Sequence, residues 1–420
     1  MSGTRMRIAA VVGVLLLAAV GSVTLRPAIP PAAATASPTA AASAFLVGKL
    51  VNGDHLTNSF GDDYGLTADL AISLAAADDQ DPALAKVVSY LAAHVADYAD
   101  PAGAGQFPGP YSGAVGKLAL VAEITGQDPH DFGGFDLLKT LTDHVCTAAD
   151  AAGSCTAAGD FYQSFSTVSQ TLAVLALARG GVTPPAAAVS RLTGLQCSDG
   201  GFSSVLLGPA DPCSSEVDTT GYALQALSLV PGAASAVTNG RSFLLAAQQA
   251  DGGFLGAAGE NSDSTGLAAQ GLLVTGSGSQ TQVTAAVNFL LGLQDSDGGF
   301  AINASTPGSD VRSTTQALPA VAGAALSTVS DAVTLPTATP TPTPTVSTSH
   351  TTRPSPSATP ASSRTSVAAV GGSRELPTGS GELAATGSHT RQPLVAGLLL
   401  VLLGCAAIRL GRRPERARRR

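Results

Sequence analysis

The chain has 420 residues, a net charge of −8, 45% hydrophobic residues and no tryptophan. That length allows one sizeable folded domain with accessory segments, and the acidic balance argues against nucleic acid as a partner. Only 12% of residues are charged while 47 are glycine, so helices must pack closely on small side chains. From the N-terminus, Arg5 and Arg7 precede an apolar run over residues 8–20. Small residues follow, with Ala32-Ala33-Ala34 or Ala34-Thr35-Ala36 fitting a cleavage site. Residues 1–34 are therefore expected to be a signal peptide, since 13 apolar residues are too few to span a membrane comfortably.

Residues 41–330 are expected to form one domain built from a repeat. Three segments align at residues 196–202 (QCSDGGF), 248–254 (QQADGGF) and 294–300 (QDSDGGF). Each follows an apolar helix-like run and precedes a second run of small and apolar residues. The second runs start at Asp218, Asp263 and Asp310, and their glutamines Gln225, Gln270 and Gln316 are 45 and 46 residues apart. Fainter copies start at Asp63, Tyr111 and Ser166, which makes six helical hairpins. Gly-Gly suits a helix end, and Asp218 or Asp263 suits the N-cap of the next helix. Four of the five cysteines lie between residues 146 and 213. Outside the cell they are expected to pair, the most local of three pairings joining Cys146 to Cys155 and Cys197 to Cys213.

From residue 334 to 382 the chain is Thr, Ser, Pro and Ala with little to bury, so it is expected to stay extended. As polyproline II its 49 residues span about 150 Å. It reads as a stalk, in a composition that O-glycosylated stalks share. Three elements follow in order: the pentapeptide Leu383-Ala384-Ala385-Thr386-Gly387, an apolar segment over residues 394–408, and an arginine-rich tail. The apolar segment suits a transmembrane helix that halts export while the tail stays cytoplasmic. Without residues 1–34 and those after Thr386, 11 basic residues face 29 acidic ones, a net charge of −18.

Two resemblances arise from these residues. The C-terminal array resembles the cell-wall sorting signals of Gram-positive bacteria in their L-A-x-T-G form. The resemblance implies that a sortase cleaves after Thr386 and joins the protein to peptidoglycan, with a membrane-held precursor; Leu383, Ala384, Thr386 and Gly387 would be the processing residues. The Gln-x-x-Asp-Gly-Gly-Phe segments resemble the QW repeat of the squalene-cyclase and protein-prenyltransferase superfamily, with Phe for Trp, and the chain is similar to actinobacterial surface proteins carrying such repeats. This implies an all-α fold, an α/α toroid with an inner ring of helices inside an outer one. A linear helical solenoid is the alternative.

Chemistry of the cyclase kind is not expected. The acid motif D-x-D-D is missing (Asp78-Asp79-Gln80-Asp81 only scrambles it), aromatic residues are 4%, and no zinc ligand set can be assembled. Asp295 and Asp297 do not open a calcium loop, because Thr306 stands where the bidentate Glu belongs. No metal or cofactor is expected. What remains is a funnel. Asp218, Tyr222 and Gln225 share one helix stripe, as do Asp263 and Gln270, with Asp63, Asp310 and Gln316 in matching places and Tyr64, Tyr111 and Phe165 adding flat surface. Read together they are candidate contacts for a small or amphipathic ligand, by analogy with transcobalamin. Each is equally a helix cap, an interhelical hydrogen-bonder or a core residue. A surface adhesion or structural module and a degenerate cyclase-like enzyme are the competing readings.

Overall fold

The structure is a computed structural model that describes residues 36–100, 109–208, 210–257 and 259–336. The expected signal peptide, the stalk beyond its first three residues and the whole sorting segment lie outside the described residues. Thirteen helices follow in chain order: α1 (Pro38–Val47), α2 (Tyr64–Ala77), α3 (Asp81–Ala93), α4 (Val95–Ala99), α5 (Ser112–Ile124), α6 (Leu137–Asp143), α7 (Thr167–Arg179), α8 (Ala186–Thr193), α9 (Val217–Leu227), α10 (Ala234–Ala247), α11 (Ser262–Leu273), α12 (Gln280–Gly292) and α13 (Val311–Val321). The fold is not wholly helical. Four two-stranded antiparallel hairpins lead into inner helices: β1 (Thr57–Asn58) with β2 (Gly61–Asp62), β3 (Phe202–Ser203) with β4 (Ser215–Glu216), β5 (Phe254–Gly256) with β6 (Gly259–Asn261), and β7 (Phe300–Asn303) with β8 (Thr306–Asp310).

Six helices form an inner ring in which α2, α5, α7, α9, α11 and α13 each pack on the next, and α13 packs back on α2. The ring closes, so the linear solenoid is excluded. Neighbours run parallel: Gly113 faces Ser169 and, one turn on, Gly116 faces Ala173. The approach is too close for a side chain, since a Cβ on Gly116 would lie 2.9 Å from the Ala173 nitrogen and one on Gly221 2.4 Å from the Leu267 oxygen. These contacts require the glycines of the inner helices, such as Gly113, Gly116, Gly221, Gly266 and Gly271. The remaining helices lie outside, each paired with an inner helix, and leucines such as Leu70, Leu118 and Leu175 fill the layer between the rings.

The repeated glutamines tie the outer helices together. Gln196 Nε2 donates to the carbonyls of Gly200 and Ala236, Gln248 to those of Gly252 and Gln282, and Gln294 to those of Gly298 and Pro38. Each therefore clamps its own turn to the start of the next outer helix, and Gln294 joins the end of the domain to its beginning. The turn glycine is required twice over. Gly298 sits at φ +94°, and a Cβ there would lie 2.2 Å from the Ala41 oxygen. Phe202, Phe254 and Phe300 are fully buried. Cys146–Cys155 and Cys197–Cys213 are both bonded.

After α13 the chain crosses the C-terminal ends of the inner helices as a strap. The Leu326 amide donates to Gln225 Oε1 (2.7 Å), Arg179 donates to the carbonyls of Leu326 and Val329, and the amides of Asp331 and Val333 donate to Ile124 and Thr125. The domain thus extends past the expected end at residue 330, through the strap. Among the described residues no helix is long and apolar enough to cross a membrane.

Candidate functional site

The hairpins set the register of the inner helices. The amides of Leu56, Phe202, Phe254 and Phe300 donate to the hydroxyls of Thr67, Thr220, Thr265 and Thr314 at 2.9–3.0 Å. Each threonine hydroxyl donates in turn to the carbonyl four residues back. Those residues, Asp63, Glu216, Asn261 and Asp310, are the N-cap positions. Asp63 and Asp310 cap as side-chain acceptors, from the Leu66 and Ser313 amides. The expected capping by Asp218 and Asp263 is corrected: both lie two residues inside their helices, the cap positions belonging to Glu216 and Asn261.

The same register corrects the repeat alignment. Asp310 is level with Glu216, and the residue level with Asp218 and Asp263 is Arg312. Gln316 is level with Tyr222, one turn above Gln225 and Gln270. Counted from the threonine, Gln316 stands two residues on where Gln225 and Gln270 stand five on, and matching acid to acid and glutamine to glutamine hid this difference.

Three adjacent helices thus present Asp218, Asp263 and Arg312 at one level of the mouth formed by the inner-helix N-termini. Asp218 is 8% exposed, and its Oδ1 has no hydrogen-bond partner. Burial pushes its carboxyl up to about 7, the Ser264 hydroxyl opposing this and the charges of Glu216 and Asp263 adding to it. Burial also raises Asp263, whose Oδ1 is unpartnered too, against the hydroxyl of Ser313; Asp310 raises it further and Arg312 lowers it. Arg312 forms no ion pair among the described residues.

One turn deeper, Lys117 Nζ pairs with Asp69 Oδ1 at 2.7 Å, both nearly buried, and Tyr222 Oη lies 3.5 Å from Gln316 Oε1. Asp69, Lys117 and Arg312 were not singled out in the sequence. The signal for the first two is legible there: Asp69 is the one charge of α2, and Lys117 the one basic residue of α5, which otherwise holds only Glu123. Deeper still, Gln225 accepts from the strap at Leu326 and Gln270 donates to the Gln316 carbonyl (3.0 Å). At the rim, Tyr64 stacks on Tyr90 and His94, and Tyr111 lies 5.9 Å from the partly exposed Phe165. Elsewhere, a crevice between α5 and α6 too tight to hold a water molecule is lined by Ser112, Leu141 and Phe161 among others.

Sequence and fold comparisons agree with this architecture. The profile of the prenyltransferase alpha-alpha toroid domain matches residues 131–264, 165–306 and 210–332. The fold is an α/α toroid. Solved toroids of similar shape include a protein from Actinoplanes (16% identity, TM-score 0.51, covering 68% of this chain and 98% of that one). Another is the type II terpene cyclase MstE from Scytonema in complex with geranylgeranyl dihydroxybenzoate (12%, 0.50, 68% and 95%). A third is a GH76 alpha-mannanase from Bacteroides thetaiotaomicron (11%, 0.50, 69% and 94%). At these identities the likeness is one of fold. No curated protein is detectably similar in sequence.

Proposed function

We propose that this is an exported protein, joined to the cell wall at Thr386, whose toroid binds a small polar ligand at the inner-helix N-termini without transforming it. The observation that carries the binding reading is the row Asp218, Asp263 and Arg312. Buried ionisable groups are normally paired, and these carboxylates hold oxygens that no protein donor meets. A large ligand of the corrinoid kind is not favoured, because below the row Tyr222 and Gln270 bond within the ring and Gln225 bonds to the strap. Ligand-observed NMR on a panel of polar metabolites tests the reading: hits should be lost in Asp218→Asn and kept in a distant surface variant. Hits indifferent to Asp218 would move the site elsewhere.

Export and anchoring rest on the sequence, and the two disulfides are consistent with an oxidising location. Thr386→Ala should leave the protein extractable with detergent, while the wild type requires muramidase for release. Release of both by detergent alone would reduce the C-terminus to a membrane anchor.

One observation favours a second reading, a hydrolase. A carboxyl pushed up to about 7 beside a second carboxylate is the pairing that acid–base catalysis uses, and a mannanase shares the fold. Release of reducing ends from α-mannan by the wild type, abolished in Asp218→Asn, would establish it.

A further inference from the structure

We infer that the mouth takes a zwitterion, the end of a short peptide whose ammonium group sits between Asp218 and Asp263 and whose carboxylate meets Arg312. This rests on the mouth being a binding site and concerns what it binds.

The argument starts from the corrected register. Because α9, α11 and α13 start at equivalent hairpins, the residues two past their caps come to one level: Asp, Asp, Arg. Charge therefore changes sign along the row. Asp218 feels only other carboxylates, those of Glu216 and Asp263, whereas Asp263 feels Asp310 on one hand and Arg312 on the other. The second independent observation is the state of the groups themselves. Asp218 is more than nine-tenths buried with Oδ1 unmet, and Arg312 forms no ion pair among the described residues although its charge acts on Asp263. The deeper charges do not satisfy them, since Lys117 is taken up by Asp69 at 2.7 Å.

Each simpler ligand leaves part of this row unmet. A monovalent cation satisfies the carboxylates and is repelled by Arg312. An anion satisfies Arg312, which binds carboxylates in a fork, and meets repulsion from the acids beside it. A neutral polyol supplies donors to the oxygens but no countercharge to either end. A molecule with both charges meets both ends at once. The row extends over three adjacent helices of the ring. That reach suits a dipeptide or longer better than a free amino acid.

Isothermal titration of the full chain in detergent micelles tests this with four probes: alanyl-alanine, its C-terminal amide, its N-acetyl form and free alanine. Alanyl-alanine should bind at least about tenfold more tightly than either blocked form, a difference of about 1.4 kcal/mol, and free alanine more weakly. Arg312→Gln should bring the dipeptide down to the affinity of its amide without changing the amide, and Arg312→Lys should restore part of the loss. Asp218→Asn should weaken the dipeptide and the amide together. Equal affinity of the dipeptide and a blocked form overturns the inference, as does tighter binding of alanine. Should none of the four bind, maltotriose separates the two failures. Chemical-shift changes at the mouth with maltotriose would reject only the ligand class, and their absence would reject the mouth as well.

Discussion

At Asp218 two effects oppose each other on one carboxyl. Ionisation near a helix N-terminus is favoured by the helix dipole, yet burial and two neighbouring acids outweigh it and hold the group near 7 rather than 3.8. Because the folded state keeps the proton to higher pH than the unfolded chain, this carboxyl costs stability as pH rises from about 4 through 7, with an upper bound of about 4 kcal/mol. Asp218→Asn should therefore melt above the wild type at pH 8 and level with it at pH 4, by thermal unfolding. A lower melting temperature at pH 8 would mean that the carboxylate is well satisfied. The acid was visible in the sequence and its position was not. Capping residues and first-turn residues are both acidic, and only the threonine bonds reveal that Glu216, not Asp218, holds the cap place.

At the level of elements, the glutamine clamps decide how the ring is joined. Gln294 makes the same two bonds as Gln248, at 2.8 and 2.9 Å, but its partner Pro38 lies at the other end of the domain. Gln294→Ala should cost about 1–3 kcal/mol and speed hydrogen exchange in α1 well before the rest of the ring. Gln248→Ala should cost a similar amount without that local opening; equal exchange in α1 for both variants would argue against a seam. The clamp motif was legible because it recurs with Gly-Gly-Phe at fixed spacing. The hairpins were not, since strands of two to five residues carry too little alternation to register, and without the threonine bonds nothing in the sequence separates a cap acid such as Asp310 from a first-turn acid such as Asp263. Tyr222 and Gln225 read correctly as one stripe because a helix fixes their spacing whatever precedes it.

At the level of the whole molecule, closure was expected from the resemblance of the Gln-x-x-Asp-Gly-Gly-Phe repeats, with a linear solenoid left open, while the strap was not foreseen because residues 324–333 have no periodic pattern. Its course has a mechanical consequence. The chain leaves the ring after Val333, on the face opposite the mouth, so a load applied to the C-terminus reaches Val333 first. The strap's contacts lie one after another along the chain (Val333 to Thr125, Asp331 to Ile124, then Arg179), so they are peeled singly rather than sheared together. Force spectroscopy through the two termini should show an early, low-force lengthening of about 35 Å, the reach of some ten residues, before the ring ruptures. Arg179→Ala should lower that first event further, and a single rupture without it would contradict this path. Under tension the strap would act as a fuse that yields reversibly and leaves the mouth intact.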